Sequence, residues 1–224
     1  MKTLIYCGTN HGVGLKHLIG DPAHHRRGRW DRVYGFEANP HLYSKLKQRY
    51  INDRRVKMYN VILSNQHNVE TEFYILDANN TQMDYASSVC KLEDFNPKYK
   101  EITTNQLTYK EVVRLKTANL YTILQQEGIV EIDLLITDLE GSDLTVLKTL
   151  KPLIDSKKIN KIKCEVEPDD LPTLYKGLDN KFKGFKELLD KNYTRIGCSQ
   201  PLVQSGQGNS AHFHIDNVWK MKKT

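Results

Sequence analysis

Two carboxylates stand directly after the most apolar segment of the chain. The run Ile132–Thr137 (IDLLIT) is followed by Asp138, Leu139, Glu140 and Gly141. Residues two apart on an extended chain point the same way, so Asp138 and Glu140 would aim at one location. Mutual repulsion would raise the pKa of one of these carboxyl groups, or the pair could bind a divalent cation. Both side chains are therefore candidates for a general base.

A glycine-rich segment lies close to the N-terminus. Residues 8–14 (GTNHGVG) contain three glycines and stand between a short apolar run and a segment with helical spacing. Glycine permits positive φ angles and a close approach of the backbone to a ligand, and amides at a helix start favour polar or anionic groups. The spacing differs from GxGxxG, which argues against a pyrophosphate site.

An acid also ends the second apolar segment. Glu37 follows Arg32–Phe36 and precedes Ala38, Asn39 and Pro40. A carboxylate at the end of such a strand can accept two hydrogen bonds from a ribose diol, as in nucleoside-binding α/β folds. Together with the glycine-rich segment, Glu37 indicates a nucleoside site.

Two further pairs of alternating residues occur later in the chain. Glu165 and Glu167 would share one face of a strand, and His212 and His214 would share one face of another. Either histidine could take a proton from a hydroxyl group near neutral pH, although hydrogen-bonded structural histidines are commoner. No ligand spacing demands a metal site, so none is predicted.

These residues would be positioned by strands and helices that alternate along the chain. The sequence predicts strands at 3–6, 32–37, 56–64, 70–76, 132–137, 161–167, 193–198 and 212–220, with helices at 13–19, 39–50, 118–127, 142–150 and 182–191. This alternation predicts an α/β fold with a mostly parallel sheet and helices on both faces. The last two strands are joined without a helix, which indicates an antiparallel C-terminal edge. Ligands bind at the carboxyl ends of the strands in such sheets.

The stretch from about residue 77 to residue 110 shows no sustained period. It is rich in Asn, Asp, Ser, Thr and Lys and is predicted to be an irregular excursion over the sheet, where Ser87 and Ser88 could line a pocket. No linker or internal repeat is visible. Residues 1–224 are therefore expected to form a single domain.

Composition excludes several classes of protein. At 39% hydrophobic residues the chain of 224 residues can bury a sizeable core, which excludes an intrinsically disordered protein. No stretch approaches the roughly 20 apolar residues of a membrane helix, and no signal peptide is recognisable, so a cytoplasmic location is expected. The four cysteines are scattered and are expected to be reduced. The net charge of +6 favours an anionic partner without identifying one.

Five segments together resemble the FkbM family of S-adenosylmethionine-dependent methyltransferases. They are IYCGTNHGVG (5–14), VYGFEANP (33–40), ASSV (86–89), LLITDLEGSDLTVLK (134–148) and KCEVEP (163–168). The pieces FEANP and DLEG are the most specific of them. One departure is visible, because Tyr6 stands where the family usually has an acid before the first glycine.

The resemblance implies a class I methyltransferase fold, which is Rossmann-like and has an antiparallel last strand. It implies S-adenosylmethionine as cofactor, with Gly8, Asn10 and Gly12 against its methionine part. By the same pattern Glu37 would hold the ribose hydroxyls, Ser64 would lie near the adenine, and Asp138 would lie near the sulfonium and the acceptor.

The expected activity is O-methylation of a hydroxyl group, with a sugar, glycan or nucleotide sugar as the preferred acceptor and no nucleic acid. Asp138, Glu140 or His212 would be the general base, with a divalent cation shared by the carboxylates as an open alternative. The rival functions are RNA ribose methylation and a catalytically inactive module that binds nucleotides or a protein partner. A nicotinamide-dependent oxidoreductase is disfavoured by the missing GxGxxG spacing. The sequence does not indicate an oligomeric state.

Overall fold

The fold is built on a seven-stranded sheet. A computed structural model describes residues 1–20, 30–78, 87–96, 107–198 and 215–223. Its strands are β1 (Thr3–Cys7), β2 (Arg32–Phe36), β3 (Val56–Tyr59), β4 (Ile62–Leu63), β5 (Glu70–Ala78), β6 (Leu107–Ala118), β7 (Ile132–Thr137), β8 (Ile159–Val166), β9 (Tyr193–Cys198) and β10 (Ile215–Met221). The large sheet has the order β3-β2-β1-β7-β8-β10-β9, and β4, β6 and β5 form a smaller one.

The direction of the strands agrees with the prediction. The five strands from β3 to β8 in the large sheet run parallel to one another. Strand β10 lies antiparallel between β8 and β9. The predicted mostly parallel sheet with an antiparallel C-terminal edge is therefore confirmed.

Helices cover both faces of this sheet. They are α1 (Val13–Ile19), α2 (Pro40–Arg49), α3 (Leu120–Gln126), α4 (Asp143–Thr149), α5 (Lys151–Asp155) and α6 (Phe182–Leu189). The neighbours Leu4 and Ile5 on β1 show the two layers, because Leu4 packs with α1 and α2 whereas Ile5 packs with α3 to α6. None of the helices in the described part of the chain is long and apolar enough to cross a membrane.

Two paired strands flank the segment predicted as an irregular excursion at about 77–110. Strand β5 extends to Ala78, and β6 starts at Leu107 and pairs with it in antiparallel register from Glu70↔Lys116 to Ala78↔Leu107. Most of β6 is exposed to solvent, so charged residues occupy both of its faces. A strand exposed in this way has no apolar alternation by which the sequence could reveal it.

The predicted strand at 56–64 is divided into β3 and β4. The side-chain amide of Asn60 donates hydrogen bonds to the carbonyl oxygens of Glu37 and Ala38, both at 2.8 Å. These bonds hold Asn60, which follows β3, against the residues that follow β2. The next strand, β4, pairs with β6 and not with the large sheet. Helix α5, which the sequence did not predict, follows α4 directly.

Tyr6 packs against helix α1. A Cβ atom added to Gly14 would lie 2.5 Å from the Tyr6 hydroxyl oxygen and 3.2 Å from two ring carbons. Burial, followed by the nearby Asp138 and Asp216 carboxylates, raises the pKa of Tyr6 to about 12. The phenol at this position is thus neutral, and it requires a glycine in the first turn of α1.

We expect Gly14→Ala to lower the free energy of unfolding by about 1–2 kcal/mol, because overpacking outweighs the better helix propensity of alanine. In a Tyr6→Phe background the loss should shrink, since the hydroxyl oxygen is the nearest atom. Urea denaturation of the four proteins measures this coupling. Gly197→Ala is the control, because nothing lies within 4 Å of its added carbon. Equal losses in both backgrounds would contradict the packing described.

Candidate functional site

A cleft of about 290 Å³ lies at the carboxyl ends of β1, β2 and β7. Parallel strands bring these ends to one edge of a sheet, which is why residues distant in sequence meet there. Its walls are formed by residues of the turns after these three strands, by residues of β4 and β5, and by Glu165 on β8. The described residues that line it are Gly8, Asn10, Phe36, Glu37, Ala38, Asn39, Leu42, Val61, Ile62, Leu63, Phe73, Ser87, Ser88, Val89, Asp138, Leu139, Glu140, Ser142 and Glu165.

The glycine-rich segment forms the first wall. The backbone N–H groups of Gly8 and Thr9 both donate to the carbonyl oxygen of Phe36, at 3.0 and 3.1 Å. Gly8 (φ 78°) and Asn10 (φ 49°) have left-handed backbone conformations and line the cleft. Gly12 faces the other way, since a Cβ atom there would lie 2.3 Å from Cδ2 of Leu46 on α2. The structure brings Gly8 and Asn10 into the cleft, and Gly12 supports the turn from behind.

Glu37 is held at the edge of the cleft by backbone donors. Its Oε2 accepts a hydrogen bond from the Asn10 N–H at 2.6 Å, and its Oε1 accepts one from the Asn39 N–H at 2.9 Å. Burial raises the pKa of Glu37, while the Asn39 and Asn10 N–H groups oppose that rise. A carboxylate has about four acceptor sites, so these bonds leave capacity toward the cleft. The side chain is therefore held in a fixed position at the cleft, where we predict that it binds a ribose diol.

An apolar wall stands next to Glu37. It consists of Val61, Ile62 and Leu63, with Phe73 of β5 beside them. Such a surface fits a flat heterocyclic ring. Ser64 follows directly, but its hydroxyl group donates to Oδ1 of Asn65 at 3.2 Å, and the lining of the cleft ends at Leu63. The adenine assigned to this region by the resemblance would thus meet apolar side chains before it met Ser64.

Asp138 and Glu140 both line the cleft, but a turn places them there. Strand β7 ends at Thr137, Glu140 has φ 49° and Gly141 has φ 91°. The expectation that the two carboxylates alternate along an extended chain is therefore wrong, although both do reach one cleft. The Asp138 N–H donates to the carbonyl oxygen of Cys7 at 3.1 Å, which fixes this turn to the end of β1.

The second predicted pair of acids is separated. Glu165 lines the cleft from β8. Glu167 lies just beyond that strand with 1% of its surface exposed, accepts a hydrogen bond from the Leu174 N–H, and lies 3.4 Å from Nζ of Lys181. Glu165 therefore belongs to the site, whereas Glu167 holds the loop that follows β8.

Other predicted residues are placed only in part. Ser87 and Ser88 line the cleft, and Ser88 exchanges two backbone hydrogen bonds with Tyr74 of β5. His212 and His214 lie outside the described residues. Among the described residues, no three His, Cys, Asp or Glu side chains are grouped so that they could hold a metal ion.

Asp143 is a site residue that the sequence analysis missed. It lies in the first turn of α4 with none of its surface exposed, and its Oδ2 accepts a hydrogen bond from the Leu139 N–H at 3.2 Å. Burial, and then the Glu165 carboxylate, raise the pKa of Asp143 well above 3.8. Asp143 thus holds the turn that carries Asp138 and Glu140. An acid at a helix start usually indicates only a favourable dipole contact, so the sequence gave little sign of this role.

The raised pKa of Asp143 predicts a dependence of stability on pH. Above pH 3.8 the folded state binds more protons at this group than the unfolded state, so stability falls as pH rises through the raised pKa. Asp143→Asn keeps an oxygen atom that accepts the hydrogen bond from the Leu139 N–H, and it removes the loss of stability at higher pH.

The free energy of unfolding of the Asn variant should therefore equal that of the wild type at pH 4. At higher pH it should exceed the wild-type value by a margin that grows by at most about 1.4 kcal/mol per pH unit. Urea denaturation between pH 4 and pH 8 measures the difference. Asp155→Asn, at a half-exposed residue on α5, is the control. A difference that does not change with pH would show that Asp143 is not held neutral.

Comparisons with known proteins found one family match and several distant structural neighbours. The model of the methyltransferase FkbM domain matches residues 7–199. No curated protein matches the sequence. Among solved structures, an rRNA methylase from Streptococcus thermophilus is 12% identical with a TM-score of 0.48, and the match covers 100% of this chain and 89% of that one.

Two other solved structures show the same level of similarity. The fibrillarin pre-rRNA processing protein of Methanococcus jannaschii is 12% identical with a TM-score of 0.47, covering 100% of this chain and 67% of that one. The N-methyltransferase NodS of Bradyrhizobium japonicum is 10% identical with a TM-score of 0.44, covering 99% and 86%. Matches this distant say nothing about the acceptor.

The family match extends over the strands, turns and helices that build the cleft, from the end of β1 to just beyond β9. The sheet, with helices on both faces and an antiparallel edge, is the class I, Rossmann-like fold expected from the resemblance. Glu37, the turn at Gly8 and the apolar wall fit S-adenosylmethionine, the methyl donor that this family uses. The chain belongs to the FkbM family of methyltransferases.

Proposed function

We propose that this protein is an S-adenosylmethionine-dependent O-methyltransferase whose acceptor is a hydroxyl group of a neutral carbohydrate. The observation that carries the proposal is the chemistry at the end of the cleft away from Glu37. Asp138, Glu140 and Glu165 line it together with the hydroxyl-bearing Ser87 and Ser88. Carboxylates accept hydrogen bonds from sugar hydroxyls and repel phosphate groups.

The charge of the cleft lining favours a neutral carbohydrate over RNA as the acceptor. The chain carries a net charge of +6, but none of the described residues that line the cleft is a lysine or an arginine. Nucleic-acid sites depend on cations that neutralise phosphates. RNA ribose methylation is therefore the second candidate. It is supported by the exposed cations Lys45, Lys47 and Arg49 on α2, which stand outside the cleft.

The chain's own residues would act by orientation and by proton transfer. When bound, S-adenosylmethionine supplies a methyl group on a positively charged sulfur atom. Glu37 would hold the ribose, and the walls of the cleft would align the acceptor oxygen, which supplies much of the rate. A carboxylate at the acceptor end would take the hydroxyl proton.

Asp138 is the preferred base, and Glu140 and His212 are the other candidates. The backbone of Asp138 touches the Gly8 turn on the cofactor side, while its side chain is exposed at the cleft. This position lies between the expected places of the donor and the acceptor. Asp143 supports the same turn from within the fold.

Glu37→Ala should weaken the binding of S-adenosylmethionine and S-adenosylhomocysteine by roughly 10–100-fold, because two hydrogen bonds to a charged group are lost. Isothermal titration measures the affinities. Thermal unfolding checks the fold, since Glu37 also binds Asn10 and Asn39. Glu131→Ala, at an exposed glutamate, is the control. Absence of binding by the wild type would favour the inactive module.

Replacing the residue that acts as the general base should lower kcat about 10²–10⁴-fold and leave the affinity for the cofactor unchanged. We would test Asp138→Asn, Glu140→Gln and His212→Ala with a labelled methyl donor and a panel of methyl glycosides, with Asp155→Asn as control.

A short RNA serves as the rival acceptor in the same assay. Full activity in all three variants would contradict the assignment of the base. Methylation of the RNA alone, lost as salt rises, would favour the second candidate function.

A further inference from the structure

One side of the large sheet is covered by helices over only part of its width. The apolar cluster beneath α1 and α2 contains residues of β1, β2, β3 and β7, and none of β8, β9 or β10. On β8, Cys164 and Val166 face the helices of the other side and are at most 1% exposed. The residues that alternate with them are partly exposed, so in the described part of the chain this side of β8 and β10 meets solvent. We call it the open face, and its residues are Lys161, Lys163 and Glu165 on β8 and Asp216, Val218 and Lys220 on β10.

The register of the open face places like charges opposite each other. Lys161 of β8 lies directly opposite Lys220 of β10, and Glu165 lies directly opposite Asp216. Like charges in such cross-strand pairs destabilise a sheet. Between the two pairs, Nζ of Lys163 lies 2.7 Å from Oδ2 of Asp216. The open face thus has a cationic end and an anionic end, which are four residues or roughly 13 Å apart along β8.

This arrangement of charge is self-complementary. A polyanion such as a nucleic acid would be attracted to the lysines and repelled by Glu165 and Asp216, and a polycation would meet the reverse. A second copy of the chain, laid on the open face with its strands antiparallel, meets neither repulsion. The two-fold axis of that arrangement lies in the plane of the interface and perpendicular to β8.

The same symmetry determines which side chains meet. Lys161 of each copy faces Glu165 of the other, and Lys220 of each copy faces Asp216 of the other, so each contact occurs twice. Val218, in the middle of the open face, then lies against Val218 of the second copy. Sheets that pack face to face are about 10 Å apart, a gap that a lysine on one sheet and a carboxylate on the other can bridge.

We propose that the open face is the interface of a two-fold symmetric dimer of this chain. The dimer relieves both like-charge pairs, because each lysine and each carboxylate gains a partner of opposite charge. Glu165 also lines the cleft, so Lys161 of the second copy lies beside the cleft of the first. The inference is independent of the acceptor, since it uses only the register and the charges of β8 and β10.

Sedimentation velocity of the full chain, at concentrations up to about 100 µM, tests the dimer. Because the contacts are mostly ionic, the wild type should dimerise at about 50 mM salt and dissociate at least in part at about 500 mM. A wild type that stays monomeric at the lower salt concentration would overturn the proposal. A dimer that salt does not weaken would overturn it as well.

Two single charge reversals identify the interface. Lys220→Glu and Asp216→Lys should each raise the dissociation constant of the dimer about tenfold or more, because each places two like-charge contacts between the copies. An equimolar mixture of the two variants should recover the wild-type affinity, since every contact in the mixed dimer is again between opposite charges. Lys45→Glu, which makes the same change of charge at an exposed residue of α2, should have no effect.

Thermal unfolding checks that each variant is folded, since Asp216→Lys also removes the ion pair with Lys163. A folded Lys220→Glu variant that dimerises as the wild type does would show that another surface is used. Failure of the mixture of two folded variants to dimerise would contradict the pairing of Lys220 with Asp216.

A second measurement uses the wild type alone and does not depend on the folding of a variant. Isotopically light and heavy protein are mixed, and a carbodiimide links lysine amines directly to carboxylates. Mass spectrometry should find Lys220 joined to Asp216, and Lys161 joined to Glu165, between a light and a heavy chain. Links between chains that join other surfaces, without these two, would overturn the proposed interface.

Discussion

The site depends on how closely the turn after β1 approaches the turn after β7. A Cβ atom on Gly8 would lie 1.8 Å from the carbonyl oxygen of Asp138, so only glycine fits between them. The Asp138 N–H bonds to the carbonyl oxygen of Cys7, which fixes the two strand ends to each other. Because of this contact the turn at Gly8 and the turn that carries Asp138 and Glu140 border each other in the cleft. Two reactants bound against these two turns would lie side by side, which is the condition for transfer between them.

Two buried carboxyl groups at this edge, those of Glu37 and Asp143, have neighbours with opposite effects on their pKa values. Burial raises the pKa of both Glu37 and Asp143, but their neighbours differ. Backbone N–H groups of Asn10 and Asn39 bond to Glu37 and favour its charged form. The carboxylates of Glu165 and Asp138 face Asp143 and favour its neutral form. A neutral Asp143 holds the turn without adding a further negative charge beside Asp138 and Glu165.

The charge of the whole chain and the charge of the cleft have different signs. The surplus of cations makes the net charge +6, yet the described lining contains acids and no lysine or arginine. Long-range attraction to anions is thus a property of the outer surface, while the described lining of the cleft presents carboxylates. Composition by itself pointed to anionic partners because it adds up all charges without regard to where the fold puts them.

The sequence by itself determined the buried elements and the edge at which the site forms. The bounds of α1 and β7 were predicted because burial imposes an apolar pattern, and parallel topology then brings Gly8, Glu37 and Asp138 to one edge. Only the tertiary structure decided the course of β6, the turn that directs Glu140 and the supporting role of Asp143. These features arise from contacts between residues far apart in the chain or from solvent-exposed backbone pairing, and neither leaves a local period in the sequence.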